Sequence, residues 1–174
     1  DYVFEGEKKV AYLETDPTNP LGVYGASKWA GEEAIQHVGG KFYIFRTSWV
    51  YSNIGHNFYL TIKGLSEKRD EIRVISDQFG VPTSSYFIAK HTQNIIKQLS
   101  SKNTGIYHLV PDGQCSWCEF AKQIITKTTP TFDINNILPV DTDQYPTNAK
   151  RPKSSVLDNS LIKAHKKLFT TATP

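Results

Sequence analysis

Strand-like and helix-like segments alternate along the chain, and this alternation constrains the fold more than any other feature. Short runs of apolar and β-branched residues predict strands at 42–51, 72–75, 105–110 and 137–140. Longer stretches with apolar residues at helical spacing predict helices at 23–38, 57–68, 85–99, 116–127 and 160–168. Strands that alternate with helices in this way pair mainly in parallel. The sequence therefore predicts an α/β fold with a largely parallel sheet.

Local signals refine the boundaries of these segments. Residues 1–4 are typical of the end of a strand, and residues 5–22, which include two prolines, are typical of a surface loop. Ser116 and Glu119 have the spacing of a capping box, so the helix at 116–127 has the best defined start. The helix at 23–38 is rich in small residues, although each glycine costs about 1 kcal/mol there relative to alanine. We therefore expect another group to approach its backbone closely.

The composition argues against several classes of protein. Of 174 residues, 39% are hydrophobic and 21% are charged, which favours a folded core over disorder. The net charge is +3, and the basic residues are scattered along the sequence. Nucleic-acid binding requires a concentrated basic stripe, so the sequence argues against it. No apolar run approaches the ~18 to 20 residues of a membrane span. Two cysteines are too few for a disulfide scaffold, which favours a reducing cytoplasm. The sequence has no methionine, which favours a fragment of a longer protein.

Tyr24 and Lys28 lie four residues apart in the predicted helix at 23–38, so their side chains share one face. A nearby ammonium group favours the phenolate and moves a tyrosine pKa from ~10 towards the working pH, where the phenol can exchange a proton with a carbonyl or an alcohol. The same spacing also describes an ordinary solvated pair. The small residues around the pair favour close packing on a flat ligand, so the pair is a candidate for proton transfer.

Cys115 and Cys118 form a Cys-x-x-Cys pattern at the start of a predicted helix, where a redox pair can have a lowered thiol pKa. A zinc site would require four ligands, and the sequence has no second cysteine pair. We predict that Cys115 and Cys118 are dispensable and that the chain has no metal site. The histidines have no ligand spacing and are interpreted as structural; they are His37, His56, His91, His108 and His165.

Several motifs together resemble the dTDP-4-dehydrorhamnose reductase family over residues 1–158. The most specific are Arg-Thr-Ser-Trp at 46–49 and Asp-Gln-Phe-Gly-Val-Pro-Thr at 77–83. The others are Asp-Tyr-Val-Phe at 1–4, Tyr-Gly-Ala-Ser-Lys at 24–28, Asn-Phe at 57–58, Gly-Ile-Tyr-His at 105–108 and Arg-Pro at 151–152. This family is a branch of the extended short-chain dehydrogenases. The resemblance implies an oxidoreductase that reduces the 4-keto group of dTDP-4-dehydro-L-rhamnose with NADPH or NADH to give dTDP-L-rhamnose.

The resemblance also implies a division of the chain. Residues 1–70 would be the C-terminal part of a Rossmann-like doubly wound domain that binds NAD(P), and residues 71–174 would be mainly a small α/β substrate-binding lobe. About 86–127 would return in part to the Rossmann sheet. No Gly-x-Gly-x-x-Gly turn follows any predicted strand, so a dinucleotide phosphate site is not encoded here. We therefore expect activity from the full-length protein and none from the 174 residues alone.

Site residues follow from the same resemblance. Tyr24 would protonate the forming alkoxide, while Lys28 would hold the nicotinamide ribose, and Ser48 would join these two at the cofactor. The implied substrate contacts are Tyr2, Trp49, Asn57, Gln78 and Arg151, with Trp49 packed against the sugar ring. Residue chemistry alone also allows Trp49 to be a core aromatic and Arg151 to be a surface charge. The predicted helix start at Asn57 and the forked guanidinium of Arg151 both suit a diphosphate.

Two other functions remain open on the sequence. One is a related nucleotide-sugar epimerase, dehydratase or synthase that shares Tyr-x-x-x-Lys. The other is a non-catalytic regulatory subunit of the same fold, such as the β subunit of methionine adenosyltransferase. The expected partner is a dTDP-sugar, with neither nucleic acid nor membrane. Some family members are dimers with bound Mg²⁺, which allows a homodimer here, although no acidic cluster identifies a metal site.

Overall fold

A computed structural model describes residues 1–97, 104–145, 147 and 149–164. The described helices are α1 (Val23–Val38), α2 (Phe58–Ser66), α3 (Ser85–Ile96), α4 (Trp117–Thr128) and α5 (Ser160–Ala164). The described strands are β1 (Tyr43–Arg46), β2 (Val50–Tyr51), β3 (Ile72–Ile75), β4 (Phe79–Gly80), β5 (Thr83–Ser84), β6 (Gly105–His108), β7 (Cys115–Ser116) and β8 (Ile137–Val140). Two short 3-10 helices, Ile134–Asn136 and Thr142–Gln144, flank β8. The predicted alternation of strands and helices is confirmed.

Parallel pairing dominates the described strands. Strand β1 pairs in parallel with β6, β2 with β5, and β3 with β8, while β4 and β7 pair antiparallel. The predicted α/β class with a largely parallel sheet is thus confirmed. The β1–β6 pairing also brings residues 105–108 beside residues 43–46, and the expected return of 86–127 to the Rossmann sheet stays a prediction. The division near residue 70 stays a prediction.

The prediction of one continuous strand at 42–51 was wrong, because the structure has two strands there. Strand β1 ends at Arg46 and β2 begins at Val50, with Trp49 between them at a φ of 47°. That left-handed conformation interrupts an extended strand. The Trp49 carbonyl instead accepts the Thr83 N–H at 3.1 Å. Residues 1–4 also form no strand in the described chain, because Tyr2 has a φ of 66° and the Val3 carbonyl accepts from the Asn19 N–H.

The main core lies where α2 and α4 cover β3 and β8. Ile62, Ile124, Ile72 and Ile137 each come from one of these elements and are buried together. Full burial of an aliphatic side chain stabilises a fold by roughly 1.5–3 kcal/mol. Helix α4 begins at the predicted capping box, since the Ser116 hydroxyl accepts the Glu119 N–H at 3.1 Å and the Glu119 carboxylate accepts the Ser116 N–H at 2.7 Å.

A second core fixes the loop at 5–22 although that loop has no helix or strand. Phe4 stacks on Tyr12 with ring centroids 4.3 Å apart, and both side chains are buried. The Tyr12 hydroxyl accepts the backbone N–H groups of Gly6 and Lys8 and donates to the Glu5 carboxylate. Aromatic packing and these bonds replace regular secondary structure in positioning residues 1–22. None of the described helices is both long and apolar enough to cross a membrane.

Candidate substrate and cofactor site

Helix α1 presents Tyr24 and Lys28 together on the protein surface. The Tyr24 side chain is 57% exposed, and the Lys28 ammonium lies 5.3 Å from the centre of the Tyr24 ring. Lys28 forms no ion pair with any described residue. A surface phenol and an unpaired ammonium can both donate hydrogen bonds to the polar groups of a bound ligand.

The small residues of α1 predict that another group lies close to the helix backbone, and the structure has such a contact at Gly25. A Cβ atom at Gly25 would overlap the carbonyl oxygen of Tyr2, so only glycine lets the helix pass the Tyr2 backbone. No neighbour lies within 4 Å of a Cβ added at Gly31, which therefore does not share this role among the described residues. The Tyr2 ring consequently lies beside Tyr24, with centroids 6.3 Å apart in an edge-on arrangement.

A buried ion pair fixes α1 against the end of β1. The Glu32 carboxylate accepts from the Arg46 guanidinium at 3.0 and 2.6 Å, and both side chains are almost fully buried. Arg46 also lies over the Phe4 ring, 5.2 Å from its centre. Glu32 follows Lys28 by one turn but lies on the buried face of α1, together with Gly25. The pair therefore sets how α1 is rotated, and with it the direction of the phenol and the ammonium group.

A groove of about 580 Å³ lies between α2, β3 and the start of α4. It is lined by Tyr2, Asn57, Phe58, Trp117, Tyr145 and Arg151, among other residues. Tyr2 contributes to this groove and contacts Tyr24, so it connects the groove to the Tyr24–Lys28 pair. The structure thus brings Tyr2, Asn57 and Arg151 of the expected substrate contacts to one surface.

Electrostatics in the groove favour a negatively charged ligand. Arg151 is exposed and forms no ion pair or hydrogen bond with a described residue. Burial raises the pKa of Tyr2 above its ordinary value, and the Arg151 guanidinium acts in the opposite direction. Asn57 caps α2, because its side-chain oxygen accepts the Leu60 N–H at 3.2 Å. The groove therefore combines an unpaired guanidinium with the start of a helix.

Three expected site residues lie in the interior instead. Ser48 has no exposed surface, and its hydroxyl lies 3.2 Å from that of Ser155. Gln78 is 3% exposed and donates to the Thr142 hydroxyl at 3.0 Å. Trp49 is 4% exposed, with its ring stacked on Trp117 at a centroid distance of 3.5 Å. Packing positions the Trp49 ring and internal hydrogen bonds position Ser48 and Gln78, and the expected ligand contacts of all three stay predictions.

Trp117 is one of the aromatic residues of the groove that sequence reasoning missed. It is the first residue of α4, directly after the capping serine, and it is partly exposed. The capping box locates this turn of helix but does not reveal which side chain faces a cavity. His56 and Tyr145 also line the groove without a sequence signal that distinguishes them from ordinary surface residues.

The thiols and histidines show no catalytic or metal-binding arrangement within the described chain. Burial, and to a lesser extent the Glu119 carboxylate, raise the pKa of the Cys115 thiol to about 11, the reverse of an activated redox thiol. No group of three or more His, Cys, Asp or Glu side chains there could hold a metal ion. Burial lowers the pKa of His108 to about 4, aided by Arg46. His165 lies outside the described residues.

The parallel α/β fold, with Tyr-x-x-x-Lys on an exposed helix beside a groove, is what the extended short-chain dehydrogenase class that the sequence resembles would have. Within that class, the family model "RmlD substrate binding domain" matches residues 1–172. The chain belongs to this family.

Relatives with known names agree with this membership. The dTDP-4-dehydrorhamnose reductase of Burkholderia thailandensis is 39% identical over 174 residues, covering 94% of this chain and 58% of that protein. The Escherichia coli K12 reductase is 42% identical over 163 residues, covering 91% of this chain and 54% of that protein. The crystal structure of the Bacillus anthracis reductase in complex with NADP superposes with a TM-score of 0.86 at 36% identity, covering 94% of this chain and 56% of that one. The chain thus spans little more than half the length of these relatives.

Proposed function

We propose that this chain supplies the proton donor and the substrate groove of an NAD(P)H-dependent reductase that converts dTDP-4-dehydro-L-rhamnose to dTDP-L-rhamnose. The observation that carries the proposal is the position of Tyr2, whose ring lines the groove and also lies 6.3 Å from the Tyr24 ring. A sugar held in the groove beside Tyr2 would therefore have its carbonyl near the Tyr24 phenol. The family membership and the names of the relatives support the same reaction.

Tyr24 is the proposed acid. Its exposed hydroxyl would donate a proton to the sugar C4 oxygen as that oxygen gains negative charge. Lys28, 5.3 Å from the phenol ring centre, would stabilise the negative charge that develops on the tyrosine oxygen. The Glu32–Arg46 ion pair would hold both groups in place through α1.

The cofactor contacts follow from the same surface. When bound, NADPH or NADH supplies the hydride that reduces the C4 carbonyl carbon. The unpaired Lys28 ammonium would donate hydrogen bonds to the nicotinamide ribose, with the Tyr24 hydroxyl beside it. NADP in the related Bacillus anthracis structure supports a nicotinamide cofactor. Mg²⁺, a homodimer and a cytoplasmic setting stay predictions.

The diphosphate of the substrate would bind at Arg151 and the start of α2. Two oxygens of one phosphate group can accept from one guanidinium, and the first N–H groups of a helix favour an anion. Arg151 is available for this because it has no ion-pair partner in the described part of the chain. The unpaired guanidinium would thus hold the nucleotide while Tyr2 and Tyr24 face the sugar.

Removal of the Tyr24 hydroxyl tests the proposal. In the full-length polypeptide, Tyr24→Phe should lower kcat with dTDP-4-dehydro-L-rhamnose by roughly 10²- to 10⁴-fold, the usual contribution of general acid catalysis, and leave KM nearly unchanged. Tyr86→Phe removes the hydroxyl of another exposed tyrosine, on α3, and should keep the parental rate. Lys28→Ala should lower kcat and also raise the KM for the cofactor. Near-parental turnover by a folded Tyr24→Phe protein would refute the assignment and favour the regulatory-subunit alternative.

A further inference from the structure

Gly80 lies directly against the side chain of Trp49. A Cβ atom at Gly80 would overlap Cε2 of that indole and lie 2.6 Å from Nε1 and 2.7 Å from Cδ2. These atoms surround the ring fusion, so the backbone of Gly80 covers one face of the indole. Gly80 belongs to β4 and its φ lies outside the left-handed region, so the backbone conformation itself allows alanine. The indole is therefore what excludes a side chain at this position.

Trp117 covers the opposite face of the Trp49 indole. The two rings stack with centroids 3.5 Å apart and an interplanar angle of 8°. Trp117 supplies none of the three atoms nearest to a Cβ at Gly80, so the two neighbours lie on different sides of the ring. Trp117 also lines the groove of about 580 Å³, whereas Trp49 is buried. Gly80, Trp49 and Trp117 thus form three successive layers between β4 and the groove.

Hydrogen bonds hold the backbone on each side of this contact. Strand β4 is paired with β7. The Trp49 N–H donates to the Asp1 carboxylate at 3.1 Å, and the Trp49 carbonyl accepts the Thr83 N–H at 3.1 Å. Because both backbones are fixed in a close-packed interior, a group added at Gly80 would displace the indole. The stacked Trp117 ring would move with it, towards the groove.

We propose that Gly80 is a positioning residue that sets how far Trp117 reaches into the groove, with Trp49 transmitting its position. Carbon atoms in contact need about 3.5–4.0 Å, so a methyl group at Gly80 would shift the indole by about 1 Å. The lack of a side chain at Gly80 thereby keeps the groove wide enough for a nucleotide. This inference rests on the proposed function, because that function supplies the class of ligand.

Crystal structures of the parental chain and of Gly80→Ala test the transmission without any ligand. Both indoles should be displaced towards the groove by about 1 Å, while α2 and β3 keep their positions. Gly64→Ala is the matched control, because a Cβ at Gly64 has no neighbour within 4 Å and α2 also borders the groove. It should leave both rings in place. A Trp117 ring that stays in its parental position in Gly80→Ala, while Trp49 or β4 moves, would overturn the inference.

Calorimetric titration with two ligands tests the consequence for binding. Inorganic pyrophosphate occupies only a small part of a groove of this size, whereas dTDP carries a nucleoside in addition. A ligand that needs the parental groove must push both indoles back against the added methyl group, so the cost of overpacking enters the affinity. Gly80→Ala should therefore weaken dTDP binding by roughly 5- to 150-fold, the equivalent of one overpacked group. Pyrophosphate binding should not change, and an equal loss for both ligands would overturn the inference.

A double variant separates transmission from local damage at Gly80. Trp117→Leu removes the ring that would be pushed into the groove, so adding Gly80→Ala to it should cause no further loss of dTDP affinity. A full loss in that background would show that the effect of Gly80 bypasses Trp117. If Gly80→Ala alone fails to fold, thermal unfolding decides. The double variant should regain a cooperative transition, and its failure to do so would contradict the coupling of Gly80 to Trp117.

The outcomes also separate this inference from the proposed function. Parental dTDP affinity in Gly80→Ala, with binding still weakened by Arg151→Ala, overturns the inference and leaves the proposed function standing. Absence of dTDP binding by the parental chain contradicts the proposed groove. The position of Trp117 in the Gly80→Ala crystal then still decides whether Gly80 positions this ring.

Discussion

Acidification should destabilise this protein through His108. The His108 side chain has no exposed surface, and its Nδ1 lies 3.0 Å from the Asp158 carbonyl oxygen. That carbonyl requires an N–H donor, so the neutral ring carries its proton on Nδ1. Nε2 has no hydrogen-bond partner in the described structure, and the Arg46 guanidinium acts against a second positive charge. Burial, the larger cause, and Arg46 together lower the pKa of His108 from 6.5 to about 4.

The sign and size of the effect follow from proton linkage. Between pH 6.5 and about 4 the unfolded chain binds a proton at His108 that the folded chain does not, so stability falls as the pH falls. At about 1.36 kcal/mol per pH unit, the interval from 6.5 to about 4 sets a ceiling of about 3 kcal/mol. About 2 kcal/mol of this should already be lost at pH 5. Burial raises the pKa of Glu14, which opposes the trend, so a variant is needed to isolate His108.

Urea unfolding at pH 7.5 and pH 5 measures the effect. His108→Asn keeps a donor near the Asp158 carbonyl but cannot titrate, so its loss of stability between the two pH values should be about 2 kcal/mol smaller than that of the parental chain. His37→Asn replaces an exposed histidine at the end of α1 and should keep the parental dependence. Equal pH dependence in His108→Asn and the parental chain would refute the assigned role of His108.

Three further changes probe the anchor of α1, the start of α4 and the thiols. Glu32→Gln leaves the Arg46 charge buried without its partner and should lower the free energy of unfolding by roughly 3–5 kcal/mol in urea, whereas exposed Glu33→Gln should have little effect. Ser116→Ala removes the cap of α4 and should cost about 1 kcal/mol in the same assay; an unchanged midpoint would contradict the capping geometry. Replacement of both cysteines by alanine should leave dTDP affinity unchanged, and a loss above about tenfold (about 1.4 kcal/mol) would restore a binding or metal role.

Much of the fold could be predicted because periodicity depends on local sequence. Helix α1 and strands β3 and β8 occupy the predicted ranges, and the Ser116–Glu119 box marks the start of α4 as expected. The pairing of β4 with β7 was missed, because two-residue strands are too short to show any alternation. The break before β2 was also missed, since the positive φ of Trp49 depends on contacts with distant residues such as Thr83.

Prediction of the site was less complete for a related physical reason. Tyr24 and Lys28 share a helix face by spacing alone, and the structure does bring them together on the surface. Whether an aromatic side chain lies in the core or lines a groove depends on which neighbour covers it. Gly80 and Trp117 enclose Trp49, and both are far from it in sequence. A sequence motif can therefore point to Trp49, while only the packing shows that Trp117, stacked on it, lines the groove.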